Sequence, residues 1–248
     1  KVVFMESPSN PLAQLTDIQA IAQAAHEHDP ETIVIADNTI ATFVTQRVLQ
    51  AGADLSLYSL SKMIGGHDDL IAGLVMGPDG LIKQIKSYRT IFGTISSPHD
   101  AWMLSRSLET LNLRAEATER RALEIAKFLH EHPAVVEVLY PGFYQSDEQM
   151  QRFDAHCTGH GSFLSIRVHG GREAAYRVLD VLKVFKIGVS MGGTISLASH
   201  PKTHSHSDVA PATQELLGID GDLIRLSVGL EDVNDLRNDL AQALDQIA

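Results

Sequence analysis

The chain has 248 residues, of which 44% are hydrophobic and 21% are charged, a composition typical of a soluble globular protein. Its formal net charge of -11 argues against binding to nucleic acid or to an anionic membrane surface, and no apolar run approaches the ~18 residues of a membrane span. The single cysteine, Cys157, excludes an internal disulfide framework and fits a reducing compartment such as the cytoplasm.

The first hundred residues alternate short apolar runs with helical patterns. The runs are "KVVFME", "TIVIAD", "DLSLYS" and "AGLVMG". After the first run, Thr16 and Gln19 have the spacing of a capping box, which predicts the start of a helix. Continuous apolar strands separated by helices predict an α/β fold with a parallel sheet that is covered on both faces.

A helical region follows this alternation. Ser97 can cap a helix that has Pro98 at its first position. A second helical stretch follows, and Pro133 ends it. We interpret residues 106–139 as a helical connection between residues 1–105 and a second domain.

The last part of the chain, residues 140–248, has a different pattern. The segments "GSFLSIRV", "KIGVSMGG" and "LIRLSVGL" are predicted strands, with a helical segment near residues 172–183. A final amphipathic helix places apolar residues on one face: Val233, Leu236, Leu240 and Leu244. The pattern predicts a smaller C-terminal α+β domain.

Polar residues stand where several predicted strands end. They are Ser7 and Asn10, then Asp37, Asn38 and Thr39, then Ser59, Ser61 and Lys62. Strands often end in polar turns, and each residue alone has that simpler interpretation. Ligands of open α/β sheets bind outside the carboxyl ends of the strands, so the coincidence on one sheet favours a binding site.

Lys62 has the most reactive side chain of these strand-end residues. It could bind a phosphate as a point charge, or it could be a partly desolvated amine that forms a Schiff base. Pyridoxal 5'-phosphate (PLP) needs such a lysine, and also an acid that keeps its ring nitrogen protonated. Asp37 on a neighbouring strand fits that second interpretation, but the residue types leave both open.

A series of motifs makes the chain resemble a known family. "ESPSNP", "ADNT", "YSLSKMIGGHDDLIAG", "LYPG", "SHP" with "THSHS", and "LIRLSVGLED" occur in this order. They closely resemble the Cys/Met-metabolism family of PLP-dependent enzymes over essentially the whole chain. The resemblance implies a PLP-dependent transferase fold of the aspartate-aminotransferase type, with residues 1–105 as the C-terminal part of the large PLP-binding domain. It also implies a homotetramer of two dimers with shared active sites.

The resemblance assigns cofactor-binding roles to the strand-end residues. Lys62 is expected to carry the internal aldimine and to shuttle protons, and Asp37 to pair with the pyridinium nitrogen. Ser59 and Ser61 are expected to contact the phosphate. Asn10 and Thr39 complete the cofactor-binding set that the resemblance implies, with Asn10 near the phenolic oxygen of the cofactor.

The resemblance also assigns the substrate-binding residues. Arg225 is expected to clamp the α-carboxylate of an amino acid, a bidentate task that suits arginine. Ser190 is expected beside that clamp and beside the aldimine lysine, and Val189 precedes it. Family members that act on cystathionine often have glutamate at the position of Val189, where it meets the distal amino group.

An apolar residue there favours γ-elimination of a methionine-type substrate, which yields a 2-oxo acid, ammonia and a thiol. Cystathionine γ-lyase, cystathionine γ-synthase and O-acetylhomoserine sulfhydrylase activities remain alternatives. Asp68 departs from the family, in which serine or glycine is common. Lys202 and His204 also replace small or apolar residues.

Further expectations concern the completeness of the chain, metal binding and an acidic pair. The chain opens on a strand pattern, and family members have a long segment before "KVVFMESP", so we expect an N-terminally truncated chain. An alternative of a different class is therefore a non-catalytic fragment. The groups His156–Cys157–His160 and His200–His204–His206 lack the spacing of a structural zinc site, so no metal is predicted. The Asp68–Asp69 pair is interpreted as a turn cap.

Overall fold

The computed structural model describes all 248 residues, and its first sheet is formed by the four predicted apolar runs. The strands are β1 (Val2–Glu6), β2 (Ile33–Asp37), β3 (Leu55–Ser59) and β4 (Gly73–Met76), in that spatial order. The pairs β1–β2 and β2–β3 are parallel, whereas β4 is antiparallel to β3. The all-parallel prediction is therefore wrong for β4. The chain between β3 and β4 contains only one short turn, and no helix returns it to the opposite end of the sheet.

Nine α-helices accompany the strands. They are α1 (Ile18–His28), α2 (Thr42–Thr45), α3 (Asp79–Phe92), α4 (Pro98–Glu109), α5 (Leu111–Glu131), α6 (Asp147–His156), α7 (Gly171–Val181), α8 (Pro211–Leu216) and α9 (Val233–Leu244). None of them combines the length and the apolar character that crossing a membrane requires.

The helix caps test two of the sequence predictions. Ser97 caps α4 as predicted, since its hydroxyl accepts a hydrogen bond from the Asp100 backbone N–H at 3.1 Å. The capping box at Thr16 is wrong. The carboxylate of Asp17 caps α1, and the Thr16 hydroxyl instead donates to the carbonyl of Glu6, which ties the helix entry to the end of β1.

The second half of the chain forms a five-stranded sheet. Its strands are β5 (Val135–Leu139), β6 (Phe163–Val168), β7 (Lys186–Ile187), β8 (Leu197–Ser199) and β9 (Leu223–Ser227), arranged in the order β5-β6-β9-β8-β7. All pairs are antiparallel except β7–β8. A core of 23 buried residues lies between this sheet and helices α5, α7 and α9. The predicted α+β character of this half is confirmed.

Helices α4 and α5 run from one sheet to the other, and we keep residues 106–139 as the proposed connection between domains. The N-terminal end of α5 packs against the turn after β3, and its C-terminal half belongs to the core of the second sheet. Strand β5, at the end of this range, already pairs with the second sheet. The proposed connection therefore contains helix α5 and also β5, a strand of the second sheet.

Helix α3 has an unusual surface, since none of its residues is buried. Three of its large apolar side chains, Tyr88, Ile91 and Phe92, are 62%, 75% and 74% exposed. Trp102 on the neighbouring α4 is exposed as well. An apolar face of this kind is typical of a surface that another part of a protein covers.

Candidate active site

The carboxyl ends of β2 and β3 are joined directly. These strands are parallel neighbours, with Asp37 opposite Leu57 in the register. Beyond them, the Thr39 hydroxyl accepts a hydrogen bond from the Ser59 backbone N–H at 2.8 Å. The Thr39 backbone N–H donates to Asp37 Oδ1 at 2.9 Å. Three residues predicted at two separate strand ends thus form one cluster.

The two predicted phosphate-binding serines keep hydroxyl hydrogens to donate. The Ser61 hydroxyl oxygen accepts from the Ala72 backbone N–H at 3.2 Å, which leaves its own hydrogen free. The Ser59 hydroxyl has no partner within the protein; only its backbone N–H is bonded, to Thr39. A pair of free hydroxyl donors suits an anionic ligand such as a phosphate.

Lys62 lies in a short helical turn, Leu60–Ile64, that directly follows β3. Its φ of -102° and ψ of -141° break the helical path there. The Lys62 amine donates to the Ser190 hydroxyl at 3.2 Å, which joins the first sheet to the loop after β7. Burial lowers the pKa of Lys62, the positive charge of Arg225 lowers it further, and the carboxylate of Asp68 opposes both.

A buried arginine that the sequence patterns did not single out holds this turn. Arg114 on α5 is only 6% exposed. Its guanidinium donates to the carbonyls of Met63, Ile64 and Ser107 at 2.7, 3.0 and 2.8 Å. Burial lowers the pKa of Arg114. Arginine supplies five N–H donors in a rigid plane, so one side chain satisfies several turn carbonyls at once.

Arg225 lies at the centre of β9 and is 2% exposed. It donates to the carbonyls of Val189 and Ser190 at 2.7 and 3.3 Å and to Asn10 Oδ1 at 3.2 Å. Its guanidinium also lies 5.9 Å from the ring centroid of Phe163. Burial lowers its pKa to about 10, so Arg225 keeps its positive charge at neutral pH.

No acidic side chain forms an ion pair with Arg225. All of its protein partners are neutral oxygens. A buried cation without a counter-ion is costly, because burial in a low dielectric medium disfavours an isolated charge. The arrangement favours a ligand that brings its own negative charge to Arg225.

The loop after β1 connects this arginine to the first sheet. Asn10, besides accepting from Arg225, donates its backbone N–H to Glu6 Oε2 at 3.1 Å. Burial raises the pKa of Glu6, the hydrogen bond from Asn10 opposes that rise, and the nearby Asp37 carboxylate adds to it. The Asn10 carbonyl is 3.2 Å from His206 Nε2. The structure therefore places Asn10 against the arginine, and it adds Glu6 and His206 to the site.

The histidine groups of the sequence do not converge. The His156 ring lies 3.7 Å from Asp17, whereas His160 stacks on Phe153 with ring centroids 4.9 Å apart. His200 contacts Thr203 and the carbonyl of Gly221. No three histidine, cysteine, aspartate or glutamate side chains come together in a way that could hold a metal ion.

Comparison with known proteins adds to this geometry. The family model described as "Cys/Met metabolism PLP-dependent enzyme" matches residues 1–245. The chain belongs to the Cys/Met-metabolism family of PLP-dependent enzymes. The predicted family and fold are thereby confirmed, and PLP is the cofactor of this family.

Individual members of the family are similar over most of the chain. A cystathionine γ-lyase of Sus scrofa is 39% identical over 98% of the chain, and an L-methionine γ-lyase of Treponema denticola is 38% identical over all of it. A solved cystathionine γ-lyase from Micromonospora echinospora superimposes with a TM-score of 0.92 at 36% identity, covering 98% of this chain and 64% of that one. The chain spans 60% and 62% of the lengths of the two curated relatives.

The residues of this chain fit PLP chemically. The family cofactor has an aldehyde, an anionic phosphate and a basic ring nitrogen. The structure supplies an amine of lowered pKa at Lys62, two free hydroxyl donors at Ser59 and Ser61, and a carboxylate at Asp37 of which one oxygen, Oδ2, has no hydrogen bond within the protein. The donor set thus offers a partner for each of the three groups.

Proposed function

We propose that a protein of full family length containing this chain cleaves a carbon–sulfur bond in a methionine-type amino acid, releasing a 2-oxo acid, ammonia and a thiol. It would act as a cytoplasmic homotetramer of two dimers that share active sites. The observation that carries the proposal is the buried, unpaired Arg225, whose carbonyl partners include Ser190, the residue bonded to the Lys62 amine.

The residues of this chain have separate roles in the proposed reaction. Arg225 binds and orients the α-carboxylate of the amino acid, since it is the cation without a counter-ion. Lys62 holds and moves a proton at Nζ, a task for which burial suits it by lowering its pKa. When bound, PLP supplies the electron sink for this chemistry. Ser59 and Ser61 would hold its phosphate through their hydroxyls, and Asp37 would pair with its ring nitrogen.

The side chain at the substrate end supports the methionine-type assignment. Val189 is 57% exposed, although its carbonyl is held by Arg225. An exposed apolar side chain beside the arginine offers contact to an uncharged thioether and no partner for a distal ammonium group. Cystathionine and O-acetylhomoserine with sulfide are the alternative substrates, and both cystathionine and methionine γ-lyases are among the relatives.

A substrate assay on the full-length protein tests this proposal. We expect methionine to release methanethiol and a 2-oxo acid, with little product from cystathionine or from O-acetylhomoserine plus sulfide. The Arg225→Lys variant should lose about 100-fold in kcat/KM, because a single ammonium cannot replace a bidentate, charge-assisted pair. Cleavage of cystathionine alone would overturn the substrate assignment.

The matched control for this variant is Arg167→Lys. Arg167 lies on the neighbouring strand β6 and binds the surface carboxylates of Asp220 and Asp222. The same substitution there should leave KM unchanged. If both variants lose activity equally, or if Arg225→Lys leaves KM for every amino acid unaltered, Arg225 is not the carboxylate clamp.

A second candidate function is that of a non-catalytic fragment. Two observations favour it: the chain spans about three fifths of its relatives' length, and the apolar face of α3 is uncovered. We expect the 248-residue chain alone to lose PLP on gel filtration and to turn over poorly, while the full-length protein retains both properties. Firm PLP retention and γ-lyase turnover by the chain alone would contradict this expectation.

A further inference from the structure

The carboxylate of Asp68 lies against the loop that carries Ser190. The Ser190 hydroxyl donates to Asp68 Oδ1 at 3.0 Å, across 122 residues of sequence. Asp68 is one of three non-glycine residues with a positive φ, here 55°. Aspartate tolerates this left-handed conformation better than most residues do. The expectation that Asp68 only caps its own turn is therefore incomplete.

Close packing keeps this loop in place. A Cβ atom at Gly193 would lie 2.0 Å from Asp68 Oδ2, so the carboxylate needs the glycine beside it. A Cβ atom at Gly192 would lie 2.5 Å from the backbone nitrogen of Met63, the residue after Lys62. The two glycines let the loop approach both the carboxylate and the lysine turn.

Lys62, Ser190 and Asp68 form a hydrogen-bonded chain with a fixed direction. The Lys62 amine donates to the Ser190 hydroxyl at 3.2 Å, and that hydroxyl donates its single hydrogen to Asp68. An ammonium group can only donate and an ionised carboxylate can only accept. The charges at the two ends therefore set the orientation of the serine hydroxyl between them.

Two charged groups act on the Lys62 amine, and they come from different elements. Arg225 of β9 lowers the pKa of Lys62, in addition to the larger effect of burial, and Asp68 raises it. We propose that Asp68 positions the Lys62 amine through the Ser190 hydroxyl and supplies the negative charge that offsets Arg225 at that amine. The inference rests on the proposed function only in treating Lys62 as the reactive amine.

The experiment titrates Lys62 in the full-length protein stripped of PLP. A neutral acylating reagent modifies lysine only as the free amine, and mass spectrometry of the Lys62 peptide gives the rate at each pH. The variants are Asp68→Asn, which is isosteric, and Asp69→Asn as the matched control. The Asp69→Asn substitution removes the same charge one residue away, and Asp69 makes no hydrogen bond to Ser190.

We expect Asp68→Asn to lower the pKa of Lys62 further, which gives about three times more free amine at a fixed pH below the pKa. Lys62 then reacts faster at neutral pH. Asp69→Asn should leave the profile unchanged. Because Asp68 is exposed, high salt should shrink the difference between the wild type and Asp68→Asn.

A double-mutant cycle with Ser190→Ala tests the link itself. If Asp68 acts through the hydroxyl, the shift caused by Asp68→Asn is smaller in the Ser190→Ala background than in the wild type. An unchanged Lys62 profile in Asp68→Asn, equal shifts in Asp68→Asn and Asp69→Asn, or fully additive shifts with Ser190→Ala would overturn the proposal.

A second readout separates this inference from the proposed function. PLP added to the full-length wild type is fixed by borohydride reduction, and the modified residue is located by mass spectrometry. Failure to modify Lys62 would refute the proposed function, whereas the acylation profiles would still report the pairing of Asp68 with Lys62. Modification of Lys62 with an unshifted Asp68→Asn profile would refute the inference alone.

Discussion

Replacing Lys62 with alanine is expected to abolish covalent attachment of PLP and to reduce turnover by at least about 100-fold in the full-length protein. Lys62 carries the only amine bonded to Ser190, which adjoins the buried Arg225. A residue that moves a proton typically contributes 10²–10⁴-fold to a rate, and the alanine side chain moves none. Absorbance of lysine-bound PLP and release of the 2-oxo acid measure the two effects.

Lys62→Arg is the informative companion variant. Arginine keeps the positive charge and a donor for Ser190, but it stays protonated at neutral pH and supplies no nucleophilic amine. We expect it to be as inactive as Lys62→Ala while folding normally. Lys86→Ala, on the exposed helix α3, serves as the control that removes a lysine elsewhere. Full activity in Lys62→Ala would refute the PLP chemistry proposed for this site.

Replacing Arg114 with methionine is expected to destabilise the protein by about 3 kcal/mol or more. The substitution leaves the buried carbonyls of Met63 and Ile64 without the Arg114 donor, and each orphaned buried acceptor costs about 1–3 kcal/mol. The third carbonyl, that of Ser107, keeps a hydrogen bond from the Thr110 backbone N–H at 3.3 Å. Urea denaturation measures the loss. Because two of these carbonyls belong to the Lys62 turn, the affinity for PLP should fall as well.

A substitution at Gly66 tests whether Arg114 stabilises the protein through the Lys62 turn. Gly66 has a φ of 69°, and a Cβ atom there would lie 1.8 Å from Arg114 Nη1. Gly66→Ala should therefore displace the arginine as well as strain the backbone. In a double-mutant cycle, Gly66→Ala should cost clearly less in the Arg114→Met background than in the wild type. Additive losses would show that the two residues act independently.

Much of the first sheet could be predicted because its signals are local. Apolar β-branched runs end in polar residues at Asp37 and Ser59, and parallel neighbours bring such ends to one edge. The cap at Ser97 is equally local. The direction of β4 was not predictable in this way, since it depends on the path of the intervening chain rather than on the strand's own residues.

The same distinction, between local sequence signals and contacts made only in the folded chain, applies to the candidate site. The sequence by itself pointed to Lys62, Asp37 and Arg225 as candidate site residues, because the motifs that contain them are short and contiguous. It did not reveal Arg114, since an arginine in an amphipathic helix usually points to solvent. Two of its carbonyl partners, Met63 and Ile64, also stand 51 and 50 positions away in the sequence.

Only the tertiary structure decided that Ser190 joins Lys62 to Asp68, across 128 and 122 residues of sequence. The physical reason is that the loop after β7 meets the lysine turn only in the folded chain. Gly192 then allows the loop backbone to touch the backbone of Met63, and Gly193 leaves room for the Asp68 carboxylate. Charges and hydrogen-bond partners that arise from such contacts leave no periodic pattern in the chain. The sequence thus pointed to the candidate groups at Lys62, Asp37 and Arg225, and the tertiary contacts between the two halves of the chain decided what surrounds them.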